Sequence, residues 1–321
     1  MNFNKLLKTM IKNSIRIEYN ENFEGECSVG SSKIGGKPDL PLDFNWYYYK
    51  GKTYEETLAI LPLGIHKYIN REKAKFNTEL PLSFIAQINC SEIHEFDKDK
   101  LFPKNGMLYF FYELENMVWG SFDQKGGARV YYYPGNISKL YKRDFPLDLK
   151  EEFKLPEMPM TFINKYELPH HEEFCELHDK YNNIIKNNNI KYFELQDEYE
   201  NTKIKMGFES DFDTVEKTKG KINKLLGYAD IIQTGMLMDC ETASKGVKLY
   251  DNKGYSDKIT KKELRQYKKN CKKWQLLFQL ESIKTEKYEL LWNDVGKIYY
   301  YININDLSKQ NFNNCWLILQ C

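Results

Sequence analysis

The sequence has almost no net charge: 47 Lys and Arg against 46 Asp and Glu leave +1 at neutral pH. No global field would draw the chain to nucleic acid or to an anionic membrane. Long apolar runs are missing too. The N-terminal stretch MNFNKLLKTMIKNSIRIEYN is interrupted by Lys5, Lys8 and Lys12, and nowhere do about 18 apolar residues follow one another, so neither a secretory leader nor a membrane span is expected. Cysteine is sparse and scattered. Cys27, Cys90, Cys175, Cys240, Cys271, Cys315 and Cys321 are odd in number, widely spaced and form no CxxC, which argues against a disulfide framework and against structural zinc. The expectation is a reduced, cytoplasmic protein without metal or cofactor. No GxSxG, HExxH or GxGxxG occurs, and Gly25 to Ser32, GECSVGSS, has Ser31 where a phosphate loop needs Lys.

Aromatics are abundant: 24 Tyr, 19 Phe and 5 Trp make up 15% of the chain. Flat rings suit pleated surfaces, so a strand-rich protein is expected. With 321 residues the chain can form one large domain or two ordinary ones. Leu6, Leu7, Met10, Ile11 and Ile15 fall at helical spacing and predict a short N-terminal amphipathic helix. Strands are predicted in LDFNWYYYK (from Leu42), LAILPLGI (from Leu58), PLSFIAQIN (from Pro81), GMLYFFYEL (from Gly106) and around Val130. From about Leu149 to Met206 the chain turns irregular and then polar and helical, and reads as a helical connector. Beyond it, KWQLLFQLES (from Lys273), GKIYYYINI (from Gly296) and the closing NCWLILQC read as strands. Thr260 and Glu263 have the spacing of a capping box and predict a helix starting just after Thr260. The division expected is 1–148, a first β-rich half; 149–206, the connector; and 207–321, a second β-rich half, packed as one body.

Three blocks recur in the same order. KIGGKPDL from Lys33 is echoed by KLLGYADI from Lys224, pairing Gly36 with Gly227 and Asp39 with Asp230. FIAQI is echoed by LLFQL, with Gln87 opposite Gln279. GMLYFF is echoed by GKIYYY, with Gly106 opposite Gly296 and Tyr109 opposite Tyr299. A near-constant offset marks a repeated unit. The fold expected is therefore α+β, mainly antiparallel β, internally duplicated into two pseudo-symmetric halves.

SKIGGKPDLP, PLSFIAQIN and GMLYFFYE, together with KLLGYADIIQ, WQLLFQLES, LLWNDVGKIYYYI and FNNCWLILQC, resemble the YwqG-like family, a bacterial domain of unknown function. The likeness spans nearly everything but the connector. It departs at Asn223 and Ala229, where the family tends to show His and Pro. The resemblance implies a duplicated α+β fold and supplies no reaction, substrate or catalytic residue.

The candidate site residues follow from the repeat and from two loops. Asp39 and Asp230 either meet as a carboxylate pair, sharing a proton or a metal, or each accepts backbone N–H bonds in its own turn. Gln87 and Gln279 interrupt apolar strands, where an amide must find partners or face a common cleft. Trp119 and Arg129, with Asp123, flank the Gly126–Gly127 loop, and Trp292 and Asp294 precede Gly296; an indole and an acid beside glycine can line a ligand pocket. His171, Cys175 and His178 share one helix face but lack a fourth ligand. The lysines from Lys261 to Lys273 surround their helix and read as a solvated face, so nucleic acid is not the expected partner. The reading is a binding or protein-interaction module without catalysis, taking a protein or a small polar ligand. The alternative is an enzyme acting on a small polar substrate in a cleft between the halves.

Overall fold

Strands form where the aromatic and aliphatic runs alternate between two buried faces. The computed structural model describes residues 3–52, 56, 78–178, 189–211, 222–251, 254–256 and 259–321. Ten strands make one sheet: β1 (Lys12–Tyr19), β2 (Lys33–Ile34), β3 (Ser83–Asn89), β4 (Met107–Tyr112), β5 (Ala128–Tyr133), β6 (Met158–Glu167), β7 (Asn223–Leu226), β8 (Trp274–Glu281), β9 (Lys297–Asn303) and β10 (Trp316–Gln320). They lie in the order β10-β9-β8-β7-β1-β6-β2-β3-β4-β5, and every pairing is antiparallel. The fold is a mixed α+β fold dominated by antiparallel sheet.

Period-two alternation sends each strand's residues to two different cores. Leu108, Phe110 and Tyr112 of β4 and Ile298, Tyr300 and Ile302 of β9 enter one inner cluster. Met107, Tyr109 and Phe111 point outward into a second cluster, and Tyr299 and Tyr301 into a third. The sheet curls until its two ends face each other. The Phe110 ring lies 4.5 Å from Phe278 and 5.2 Å from Tyr300, and the Tyr300 hydroxyl donates to the Phe111 carbonyl at 3.0 Å. Burying such a ring stabilises by about 1.5–3 kcal/mol, so this seam is a major source of cohesion.

The segment after β4 closes the curl. The Leu319 N–H donates to the Trp119 carbonyl at 3.2 Å, and Trp316 Nε1 to the Gly120 carbonyl at 2.8 Å. Gly120 has φ +84°, and a Cβ there would fall 1.8 Å from the Leu317 carbonyl oxygen, so only glycine lets the segment approach β10 this closely.

Seven helices are described: α1 (Phe3–Lys8), α2 (Cys90–Ile93), α3 (His171–Leu177), α4 (Asn189–Lys205), α5 (Leu237–Ala243), α6 (Lys261–Asn270) and α7 (Ile304–Leu307). Helix α6 begins where expected. Thr260 Oγ1 accepts from the Glu263 N–H at 3.2 Å, and Glu263 Oε2 accepts from the Thr260 N–H at 2.8 Å. Among the described residues no helix is long and apolar enough to cross a membrane.

Three expectations are corrected. The N-terminal helix stops at Lys8, and Ile15 lies in central strand β1, because pairing on both sides outweighs a weak helical period. In LDFNWYYYK only Tyr48–Lys50 is strand; Phe44, Trp46 and Tyr47 instead form an aromatic layer over Phe111. Within 149–206 the chain supplies not only helices but the ten-residue strand β6, the second of the two central strands. LAILPLGI lies outside the described residues.

Candidate functional site

Each Lys-Gly-Asp turn builds a polar network against its strand glutamine. In the first, Gly36 has φ +67°, which turns the chain so that Asp39 faces back toward Lys33. The Gln87 amide reads Asp39 from both sides: its Oε1 accepts from the Asp39 N–H at 2.9 Å, and its Nε2 donates to Asp39 Oδ2 at 2.5 Å and to the Ser31 carbonyl at 2.8 Å. Tyr109 OH donates to the Asp39 carbonyl. Lys33 Nζ lies 3.0 Å from Glu157 Oε2 and 3.8 Å from Asp39 Oδ2; Lys33 and Asp39 are fully buried and Glu157 is partly exposed. Burial alone would raise the Glu157 carboxyl, but the Cys27 N–H and Lys33 hold it below its ordinary value.

The second network has the same parts. Gly227 has φ +71°. Gln279 Oε1 accepts from the Asp230 N–H at 2.9 Å, and its Nε2 donates to Asp230 Oδ2 at 2.8 Å and to the Ile222 carbonyl at 2.7 Å. Tyr299 OH donates to the Asp230 carbonyl at 2.8 Å. Lys224 Nζ reaches Asp230 at 2.6 Å and Glu167 at 3.0 Å, and Glu167 also pairs with Arg16 at 3.1 Å. Burial opposes ionisation of Asp230, but Lys224, Lys297 and Arg16 outweigh it and hold the carboxyl well below the usual range. Most polar atoms of these ion clusters have partners, Asp39 Oδ1 and Arg16 Nε excepted, and the typical role of such a network is to fix a turn.

The two aspartates do not meet. Strands β2 and β7 are separated by β6 and β1, three interstrand steps or roughly 14 Å at about 4.8 Å each. Asp230 borders a cleft with Arg16 and His170, which Asp39 does not line. Trp292 is not at a ligand loop: its indole is fully buried in the inner cluster, edge-on to Tyr112 at 5.6 Å, because the closing sheet ends need a large ring between them. Asp294 is exposed on the neighbouring turn.

Arg129 does line a cleft, one of about 330 Å³ where the curled sheet closes. One wall carries Gln124, Gly126 and Arg129 from the β4–β5 connection and strand β5. The other carries Lys245, Asn270 and Lys273, with Asp306 and Trp316 at the base. The acids are already engaged. Glu241 accepts from Trp274 Nε1 at 3.0 Å and from Asn270 Nδ2 at 3.1 Å, and pairs with Lys245. Asp306 accepts from Asn311 and Asn314, each at 3.0 Å. Arg129 and Lys273 form no hydrogen bond or ion pair with a described residue. Gln124 Oε1 fixes the near wall by accepting from the N–H groups of Trp119, Gly120 and Ser121 at 2.9, 3.0 and 3.0 Å. Trp119 itself borders a separate cleft on the far side of this segment. Of the eight expected residues, only Arg129 reaches the cleft at the closure. Lys245 and Asn270 escaped sequence reasoning, and the asparagine cluster from Asn303 to Asn314 was the one signal for that wall.

His171 and Cys175 touch, with Nε2 3.7 Å from Sγ. Burial lowers the imidazole to about 4 and raises the thiol to about 12, so both are neutral and no thiolate is poised to attack. His178 turns away to Met10 Sδ at 3.3 Å. Among the described residues no three His, Cys, Asp or Glu side chains are gathered as metal ligands would be.

A family model described as a domain of unknown function (DUF1963) matches residues 32–321. No curated protein matches the chain.

Proposed function

We propose that this chain, which belongs to the DUF1963 family, is a binding module without catalysis that takes a small anionic ligand in the cleft at the sheet closure. The observation that carries the reading is the imbalance of that cleft. Among the described residues Arg129 and Lys273 have no hydrogen-bond or ion-pair partner, whereas both Glu241 oxygens are engaged and Asp306 accepts two amide bonds on Oδ1. An arginine fork matches a carboxylate or phosphate in two-point contact, and the flanking amides can read further polar groups. That Asp230 borders a cleft which Asp39 does not line weighs against the enzymatic alternative.

Calorimetric titration with citrate and with inorganic phosphate tests this. Saturable binding should weaken about tenfold or more in Arg129→Gln, the loss of one charge-assisted contact, with unchanged melting. Equal binding by Arg129→Gln and wild type, or no heat from either anion, would refute it.

The two walls belong to two copies of one strand-and-turn unit, divided as 1–148 and 207–321, with 149–206 between them as one body. Four features support this reading. The strand order reads β7-β8-β9-β10 outward from β1 and β2-β3-β4-β5 outward from β6. Both inner long strands carry a register shift at matched places, Phe84/Ala86 and Leu276/Phe278. Positive φ falls on Gly35 and Gly36 in one turn and on Leu226 and Gly227 in the other. Asp, Gln and Tyr make the same bonds in both networks. Superposition of the strands starting at Lys33 and Lys224 checks it; failure of Gln87 to fall on Gln279 would sink it. All seven cysteines are free thiols, which supports a cytoplasmic setting.

A further inference from the structure

The cleft at the sheet closure carries more than cations: Asn305, Asp306 and Asn313 line it as well. Asp306 takes both of its amide bonds, from Asn311 and Asn314, on Oδ1. Its Oδ2 forms no hydrogen bond or ion pair with a described residue and is open to solvent. The Asn305 and Asn313 side chains form no such bond either, and both residues are exposed. Trp274 and Trp316, also in the lining, spend their N–H groups on Glu241 Oε2 and on the Gly120 carbonyl. Ring carbons are what these two indoles have left to offer a ligand.

These groups set a condition on the ligand. An open carboxylate repels a bare anion and accepts hydrogen bonds only, so the molecule that fills the cleft must turn donors toward Asp306 while its charge meets Arg129. Hydroxyls are such donors. They also accept, which suits asparagine amides that carry a donor at one end and an acceptor at the other. An ammonium group would satisfy Asp306 too, but it would share the cleft with Arg129 and Lys273, which repel it. We propose, resting on the anion-binding reading of this cleft, that its ligand is a sugar bearing one acid group. The phosphate or carboxylate sits at Arg129, and the hydroxyls are read by Asp306, Asn305 and Asn313. The C–H face of the sugar ring suits the indole carbons, and about 330 Å³ is the size of a small-molecule pocket.

The test is calorimetric titration of the full chain with glucose 6-phosphate and with glucuronate, against inorganic phosphate, acetate and uncharged glucose. At least one sugar acid should bind about tenfold or more tighter than its bare anion, and the tighter of the two identifies the acid group. Asp306→Asn keeps an acceptor for the two amides and removes the charge. It should abolish most of that advantage while binding inorganic phosphate at least as tightly as wild type, a crossing that misfolding would not produce. Asn313→Ala alters an exposed side chain without a bond to a described residue, so it should fold, and should lower the advantage about threefold with phosphate binding unchanged. If inorganic phosphate binds but neither sugar acid exceeds its bare anion, the sugar assignment falls and the anion cleft stands; if neither phosphate nor a sugar acid binds, both fall. An advantage undiminished in both variants, or glucose binding as tightly as the sugar acids, would also overturn the proposal.

Discussion

Gln87→Ala is the sharpest perturbation of the fold. Gln87 is completely buried and makes three hydrogen bonds, two of them to Asp39. After truncation Asp39 Oδ2 keeps the Gly30 N–H at 3.0 Å, but the Asp39 N–H is left buried without an acceptor, and Ser31 loses its donor. One fully buried orphan, a second partly solvated one and the lost packing together cost about 3 kcal/mol. Gln279→Ala removes the matching bonds, yet the Asp230 side chain is 22% exposed and retains Lys224 at 2.6 Å. Its orphans again divide into one partly solvated, the Asp230 N–H, and one buried, the Ile222 carbonyl, so the cost there is also about 3 kcal/mol. Urea unfolding followed by tryptophan fluorescence measures both, through the midpoint shift at constant slope. A loss under about 1 kcal/mol for either Gln87→Ala or Gln279→Ala would refute the assignment of these amides as the groups that satisfy the two turns.

Other perturbations reach different parts of the fold. Gly120→Ala places a Cβ against the Leu317 carbonyl at a left-handed φ; where a compatible Gly→Ala change stabilises by up to about 1 kcal/mol, this one should destabilise by more than that, with loss of the Trp316–Gly120 hydrogen bond visible as a shift in tryptophan emission. Thr260→Ala removes one arm of the α6 capping box and should cost about 1 kcal/mol in urea unfolding. Glu173 is raised to about 7, by burial first and with Lys12 and the Ala229 N–H only partly offsetting it. Between the unfolded value near 4.5 and that folded value the native state holds the extra proton, so stability falls as pH rises through this window and levels above it. Glu173→Gln should therefore gain on the order of 3 kcal/mol over wild type at about pH 8 and nothing at about pH 4; parallel pH profiles of urea midpoints would contradict this.

The sequence was informative wherever local pattern and tertiary demand agree. PLSFIAQIN and GMLYFFYEL alternate, carry β-formers and sit between turn residues, and both become strands of the main sheet. Thr260 and Glu263 cap a helix through contacts three residues apart, so distant residues have no say. The glutamines were legible as anomalies because an amide in an apolar strand demands partners. Its partner, the aspartate of the adjacent glycine turn, was named too, but not the bond between them.

Tertiary structure decided the rest. Ile15 has helical neighbours but lies in a central strand, because hydrogen bonds from both β6 and β7 exceed a weak local preference. Trp292 reads like a loop residue and is buried only because the sheet closes over it. Arg129 and Lys273 come to line one cleft only once β5 and β10 are brought together by the curl. No periodicity records such a meeting, since it depends on how far a ten-stranded sheet twists and on a segment that only glycine allows against β10. Composition and spacing thus determined which segments pair and which turns need glycine. The curvature of the sheet determined which charged side chains come together to line one cleft.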